Sequence, residues 1–99
     1  MFVKVATTNE LSPGQCKTVR AEGKMIALYN VGGTYYATDD VCAHNGGPLG
    51  EGTLDGTTIA CPWHHWQFDV TTGKNKTNPA MQIDSFPVKV EGNDILVEI

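Results

Sequence analysis

Two short loops of mixed side-chain type constrain this chain more than any other feature. Cys42-Ala43-His44 and Cys61-Pro62-Trp63-His64 each offer one thiol and one imidazole, and residues Asn45 to Ala60 separate them. Using both pairs together requires a fold that folds that spacer back on itself, so that the two loops meet while the rest of the chain builds a core. Four such side chains gathered at one place read as a metal site.

The order of the ligands bears on which metal. Zinc knuckles usually keep like ligands together, as Cys-x2-Cys facing His-x3-5-His, whereas each loop here is mixed. If two iron atoms sit side by side, each loop can give its Cys to one iron and its His to the other. That is the arrangement of two-iron two-sulfur centres in which two His replace two Cys. A four-coordinate Cys2His2 zinc site uses the same residue types and stands as the structural alternative. With two ferric irons, two sulfides and two thiolates the cluster is neutral, so it accepts an electron more readily than an all-thiolate cluster does. The expected ligands are Cys42, His44, Cys61 and His64, with both imidazoles on the outer iron and their second N–H groups left for a partner or solvent. His65 adjoins His64, but the Cys-x2-His spacing selects His64 and leaves His65 as a surface residue.

Between and around these loops the chain reads as strands. Signals fall at Phe2 to Ala6, Cys16 to Arg20, Lys24 to Asn30, Thr34 to Thr38, Thr57 to Ala60, Gln67 to Val70, Val88 to Val90 and Asp94 to Ile99. Ser12-Pro13-Gly14, Gly32-Gly33, Asp55-Gly56, Thr72-Gly73 and Gly92-Asn93 supply the reversals. A single helical turn at Thr7 to Leu11, capped by Thr8 or Asn9, is the one exception. The expected fold is all-β, a small antiparallel sandwich or barrel. The Gly52-to-Ala60 stretch carries an Asp-Gly hairpin signal that would bring the two ligand loops together. Residues 42–68, rich in glycine and holding both tryptophans, read as an inserted site-bearing subdomain within one domain spanning 1–99.

Composition narrows the function classes. The formal net charge of −4 argues against a nucleic-acid surface. No apolar run is long enough for a membrane span, and the first residues alternate like a strand; the expectation is a soluble, cytoplasmic protein, monomeric when free. Three cysteines, two of them in the loops, leave Cys16 single and speak against a disulfide framework. Trp63, Trp66 and Phe68 would shield the cluster or fill the core, and packing is the expectation. All three histidines lie in or beside the loops, so no second two-His-one-carboxylate iron site can be assembled and the chain is not itself an oxygenase.

The stretch Cys42-Ala43-His44-Asn45-Gly46-Gly47-Pro48-Leu49, followed by Cys61-Pro62-Trp63-His64-His65-Trp66-Gln67-Phe68-Asp69 and Thr72-Gly73, resembles the Rieske ferredoxins. The resemblance continues to the closing Phe86-Pro87-Val88-Lys89-Val90 and Asp94-Ile95-Leu96-Val97. It implies a base domain of antiparallel sheets carrying a small cluster-binding subdomain, one 2Fe-2S cluster, and single-electron transfer without substrate chemistry. Stand-alone relatives carry electrons from a flavin-dependent reductase to a terminal oxygenase. The chain also resembles the small subunit of assimilatory nitrite reductase, whose partner is the large subunit. A redox-sensing module is a third reading of the same cluster.

Three departures from relatives carry information. Respiratory-complex Rieske proteins place a disulfide where this chain has Gly47 and Trp63, and Ser and Tyr hydroxyls where it has Trp66 and Phe68. Without those donors the reduced cluster is less stabilised, which points to a potential near the low end of the Rieske range, about −150 mV. His65 stands where relatives often have Gly.

Overall fold

The computed structural model describes residues 1–41, 47–63, 65–78 and 80–99. Ten strands run in chain order: β1 Phe2–Thr7, β2 Cys16–Ala21, β3 Lys24–Val31, β4 Thr34–Asp39, β5 Thr53–Asp55, β6 Thr58–Ala60, β7 Gln67–Asp69, β8 Ser85–Phe86, β9 Val88–Glu91 and β10 Asp94–Glu98. They form three antiparallel sheets, β1-β10-β9, β2-β3-β4-β8 and β5-β6-β7. The fold is the expected all-β one. All eight anticipated strands are present to within a residue or two, and β5 and β8 are additional.

β3 explains how the three sheets stack. Its Ile26, Ala27, Leu28 and Tyr29 are all fully buried, and the pleat sends them alternately to opposite faces. Ile26 and Leu28 join Ala6, Leu11, Val19, Ala37, Ile95 and Val97 in one core. Ala27 and Tyr29 join Leu49, Ile59, Cys61, Phe68, Val70 and Ile83 in a second. The β2–β3–β4 sheet is therefore the middle layer, with the β1-β10-β9 sheet on one face and the β5-β6-β7 sheet on the other. A strand covered on both faces needs a continuous apolar run rather than alternation, which Met25-Ile26-Ala27-Leu28-Tyr29 provides. Each fully buried Ile, Leu or Phe contributes about 1.5–3 kcal/mol of transfer free energy.

Hairpin turns set the registers. Ala21 pairs Lys24 across Glu22-Gly23, and Val31 pairs Thr34 across Gly32-Gly33. All four loop residues have positive φ, the I′ geometry that matches strand twist. The Glu22-Gly23 turn was not among the expected reversals, since Glu is not a usual carrier of that conformation. In the β5–β6 hairpin Asp55 pairs Thr58, so Asp55 is the last strand residue and the loop is Gly56-Thr57, with Gly56 at φ +59°.

The expected helical turn is a short 3-10 turn, Thr8–Glu10, and its cap is Thr7 rather than Thr8 or Asn9. Glu10 reaches back to accept from the Thr7 N–H (2.8 Å) and hydroxyl (2.9 Å) and pairs with Lys17 at 3.1 Å. The Thr7 backbone bond first, then Lys17, holds the Glu10 carboxyl down to about 2. Among the described residues no helix is long and apolar enough to cross a membrane.

Candidate metal centre

Of the four expected ligands, Cys61 lies among the described residues; Cys42, His44 and His64 lie outside them, as do Gly46 and Pro79. The described residues flanking the two motifs show how the ends of each are held.

Cys61 follows β6 directly. Its N–H donates to the Trp66 carbonyl at 2.8 Å, extending the β6–β7 register in which Ala60 pairs Gln67. The loop between them is Pro62 to His65, closed by the His65 N–H on the Cys61 carbonyl at 2.9 Å. The reversal extends one residue past the Cys-x2-His motif. It is completed by His65 at φ +60°. That left-handed conformation costs a non-glycine residue about 1–2 kcal/mol, and a glycine would adopt it without strain. Cys61 shares a face of the small sheet with Ile59, two residues before it, and with Phe68, which pairs Ile59. All three are fully buried.

The aromatic residues divide. Phe68 is core and Trp66 packs at its edge, as expected. Trp63 does not pack: it is 58% exposed, because the turn lifts it off the sheet between Cys61 and His64.

The first loop leaves β4 through Asp40 and Val41 and returns at Pro48, which bridges Val41 in antiparallel fashion. A 3-10 turn, Leu49–Glu51, follows. Its first N–H groups are claimed by Asp40: Leu49 N–H donates to the Asp40 carbonyl and Gly50 N–H to its carboxylate, both at 2.7 Å. The turn lies so close to β2 that a Cβ on Gly50 would meet Thr18 Oγ1 at 2.4 Å, and one on Gly52 would meet the Ala60 carbonyl oxygen at 2.1 Å. Glycine is required at both places. Gly52 precedes the Thr53–Ala60 pair, so the exit of the first loop lies against the entrance of the second. The hairpin thus sets Gly52 beside Ala60, the residue before Cys61.

A third segment borders the site and was not anticipated. Residues 74–78 lie along β7: Asp69 N–H donates to the Lys74 carbonyl (2.8 Å), Lys76 N–H to the Gln67 carbonyl (2.7 Å), and Gln67 N–H to Thr77 Oγ1 (3.0 Å). Asn75 is buried opposite Phe68, and its Oδ1 accepts from the Thr77 and Asn78 N–H groups at 2.8 Å each. The Thr72-Gly73 turn was the visible signal for its start. Gly73 at φ +81° passes within 2.1 Å, measured to a would-be Cβ, of the Ile83 carbonyl oxygen.

Cys16 meets this framework at Gly52. It is half-buried, contacts the Gly52 carbonyl at 3.6 Å, and its thiol is pushed up by burial and secondarily by Asp40, the opposite of an activated nucleophile.

The described part of the site fits an iron–sulfur cofactor. Cys61, buried among Leu49, Ile59 and Phe68 at the end of β6, offers a sulfur donor of the kind an iron–sulfur cofactor takes. The family profile of the Rieske [2Fe-2S] domain matches residues 1–87. The chain belongs to the Rieske [2Fe-2S] domain family. It is 41% identical over 99 residues to the ferredoxin component of the naphthalene 1,2-dioxygenase system of Pseudomonas aeruginosa, covering 99% of this chain and 95% of that one. The ferredoxin of carbazole 1,9a-dioxygenase from Nocardioides aromaticivorans IC177 superposes with a TM-score of 0.92 at 30% identity, over 98% of this chain and 96% of that one. A ferredoxin solved in complex with the oxygenase of carbazole 1,9a-dioxygenase superposes with a TM-score of 0.88 at 37% identity, over 97% and 91%. The chain is a Rieske-type ferredoxin: its cofactor is a 2Fe-2S cluster, and it carries electrons rather than transforming a substrate.

Proposed function

We propose that Cys42, His44, Cys61 and His64 are the four cluster ligands, the cysteines on the inner iron and the histidines on the outer one. What supports the reading is that the flanks of the two motifs meet, with Gly52 against Ala60 just before Cys61. When bound, the cluster supplies one reversible electron. Cys61 would hold it from a buried position packed with Phe68 and Trp66, and Trp63, which precedes His64 in the chain, would remain exposed to a partner. Residues about 42–68 act as a cluster-binding subdomain on a single domain 1–99, a reading supported by the separate β5-β6-β7 sheet.

The partners in this reading are a flavin-dependent reductase and a terminal oxygenase, met in the cytoplasm by a monomeric carrier. Similarity over the full chain to dioxygenase ferredoxin components favours this over a bound nitrite reductase subunit. The potential lies near the low end of the Rieske range, about −150 mV, because Trp66 and Phe68 offer no O–H donors.

The test is direct. Purified protein should be brown, with two irons and two acid-labile sulfides per chain. In stopped flow it should be reduced by a flavin reductase and reoxidised by a terminal oxygenase faster than the oxygenase turns over. Colourless protein with one zinc sinks the cluster reading; a brown protein that no oxygenase reoxidises sinks the partner reading alone.

A further inference from the structure

Asp40 is a carboxylate only 5% exposed, two residues before the first expected ligand. A buried carboxylate is costly unless its environment supplies hydrogen bonds. Here one oxygen, Oδ1, accepts from two elements at once: the Gly50 N–H at 2.7 Å and the Thr18 hydroxyl on β2 at 2.9 Å. The Asp40 main chain adds a third tie on the same side, its carbonyl accepting from Leu49 N–H, and a fourth on the other, its N–H donating to the Met25 carbonyl at 3.3 Å. The Val41–Pro48 bridge closes the loop just beyond. Asp40 therefore sits where the outgoing limb of the first loop, its returning limb and the base sheet meet. The glycine at position 50 lets the returning limb come close enough for this, since any Cβ there would strike Thr18.

We propose that Asp40 is a positioning residue for the cluster: its side chain clamps the two limbs of the first ligand loop to β2 and so fixes the entry of Cys42 and His44. The proposal rests on the cluster reading above. Side chains that orient metal ligands from behind typically change metal retention about 10–100-fold when removed.

The experiment uses the holoprotein with Asp40→Ala, Asp40→Asn and Thr18→Val. It follows chelator-driven cluster loss by visible absorbance, the EPR lineshape of the reduced cluster, and hydrogen exchange by peptide. Asp40→Ala is expected to lose its cluster about 10–100-fold faster, with a broadened reduced signal. Exchange should rise in the Pro48–Gly52 region while β1 and β10 stay protected. Thr18→Val, which removes one of the two donors to the Asp40 carboxylate while keeping the shape of the side chain, should move both readouts in the same direction by less. Asp40→Asn keeps an acceptor for Gly50 and should restore retention and lineshape. Wild-type retention in Asp40→Ala overturns the proposal, as does equal loss of protection across β1 and β10 or an Asp40→Asn protein as labile as Asp40→Ala. If Asp40→Ala does not fold, unchanged retention in Thr18→Val overturns it. A wild-type protein that carries no iron would instead overturn the cluster reading itself.

Discussion

The two cores on either side of β3 are built by different means. On the base side, strands of four to eight residues, with the two-residue β8 at one edge, pair in long registers and bury Ile26, Leu28, Ile95 and Val97 in an aliphatic core. On the site side the three strands have three residues each, too short to hold themselves together by ladder bonds alone. There the structure relies on contacts that leave no room for a Cβ, at Gly50, Gly52 and Gly73, and on side chains that replace ladder partners, at Asp40, Asn75 and Thr77. The base gets its shape from apolar pattern, whereas the site gets it from backbone proximity. This suits a cluster domain, because short loops must be aimed by something stiffer than their own residues.

The largest effect should separate ligands from scaffold. His64→Ala is expected to abolish the visible spectrum and the reduced EPR signal, and His65→Ala to keep both; a bleached His65→Ala protein would reverse the assignment. The same pair tests the loop geometry, because His65→Gly should relieve the strained φ and stabilise by about 1 kcal/mol in thermal unfolding.

Next come paired variants of the two cores. Ile26→Ala should cost about 2–5 kcal/mol in denaturant unfolding while the EPR lineshape stays as in the wild type, since its contacts lie in the base core. Gly52→Ala forces its Cβ onto the Ala60 carbonyl and should cost about 1–3 kcal/mol, with a distorted reduced spectrum. Equal spectroscopic damage from both would mean that the cores are not separable.

A smaller shift is expected from Phe68→Tyr. If the new hydroxyl reaches a ligand sulfur it should raise the midpoint potential, by roughly 40 mV for a bond about 1 kcal/mol stronger to the reduced state. Unchanged or lowered potential in voltammetry removes the donor argument for a low-potential cluster. Smallest of all is the pH response of the base corner at Thr7. Glu10 is held down to about 2, below its ordinary 4.5, so its contribution is complete above about pH 4.5 and is lost as pH falls toward 2. Glu10→Gln should remove that dependence in acid unfolding curves and leave the neutral-pH spectrum alone.

What the sequence disclosed follows the same division. The base strands were readable because apolar patterning and glycine turns are local properties, and the Gly52-to-Ala60 hairpin could be inferred from its turn chemistry. Glu22-Gly23 escaped notice because tertiary pairing of β2 with β3 imposed a conformation that Glu does not advertise. The 74–78 segment escaped because it lies on β7 through Asn75 and Thr77 side chains, without apolar alternation. Trp63 looked like core by type, yet its place at the tip of the Cys61 turn exposes it. Asp40 and Gly50 gave no motif, since their partnership is made across a loop and with β2.

The mixed-loop ligand set is tested most directly by pulsed EPR of the dithionite-reduced protein, which detects nitrogen bound to the cluster. Two strongly coupled imidazole nitrogens are expected in the wild type, and none from a reassembled cluster when His44 and His64 are both replaced by Cys. A reduced cluster without nitrogen coupling in the wild type would contradict the account.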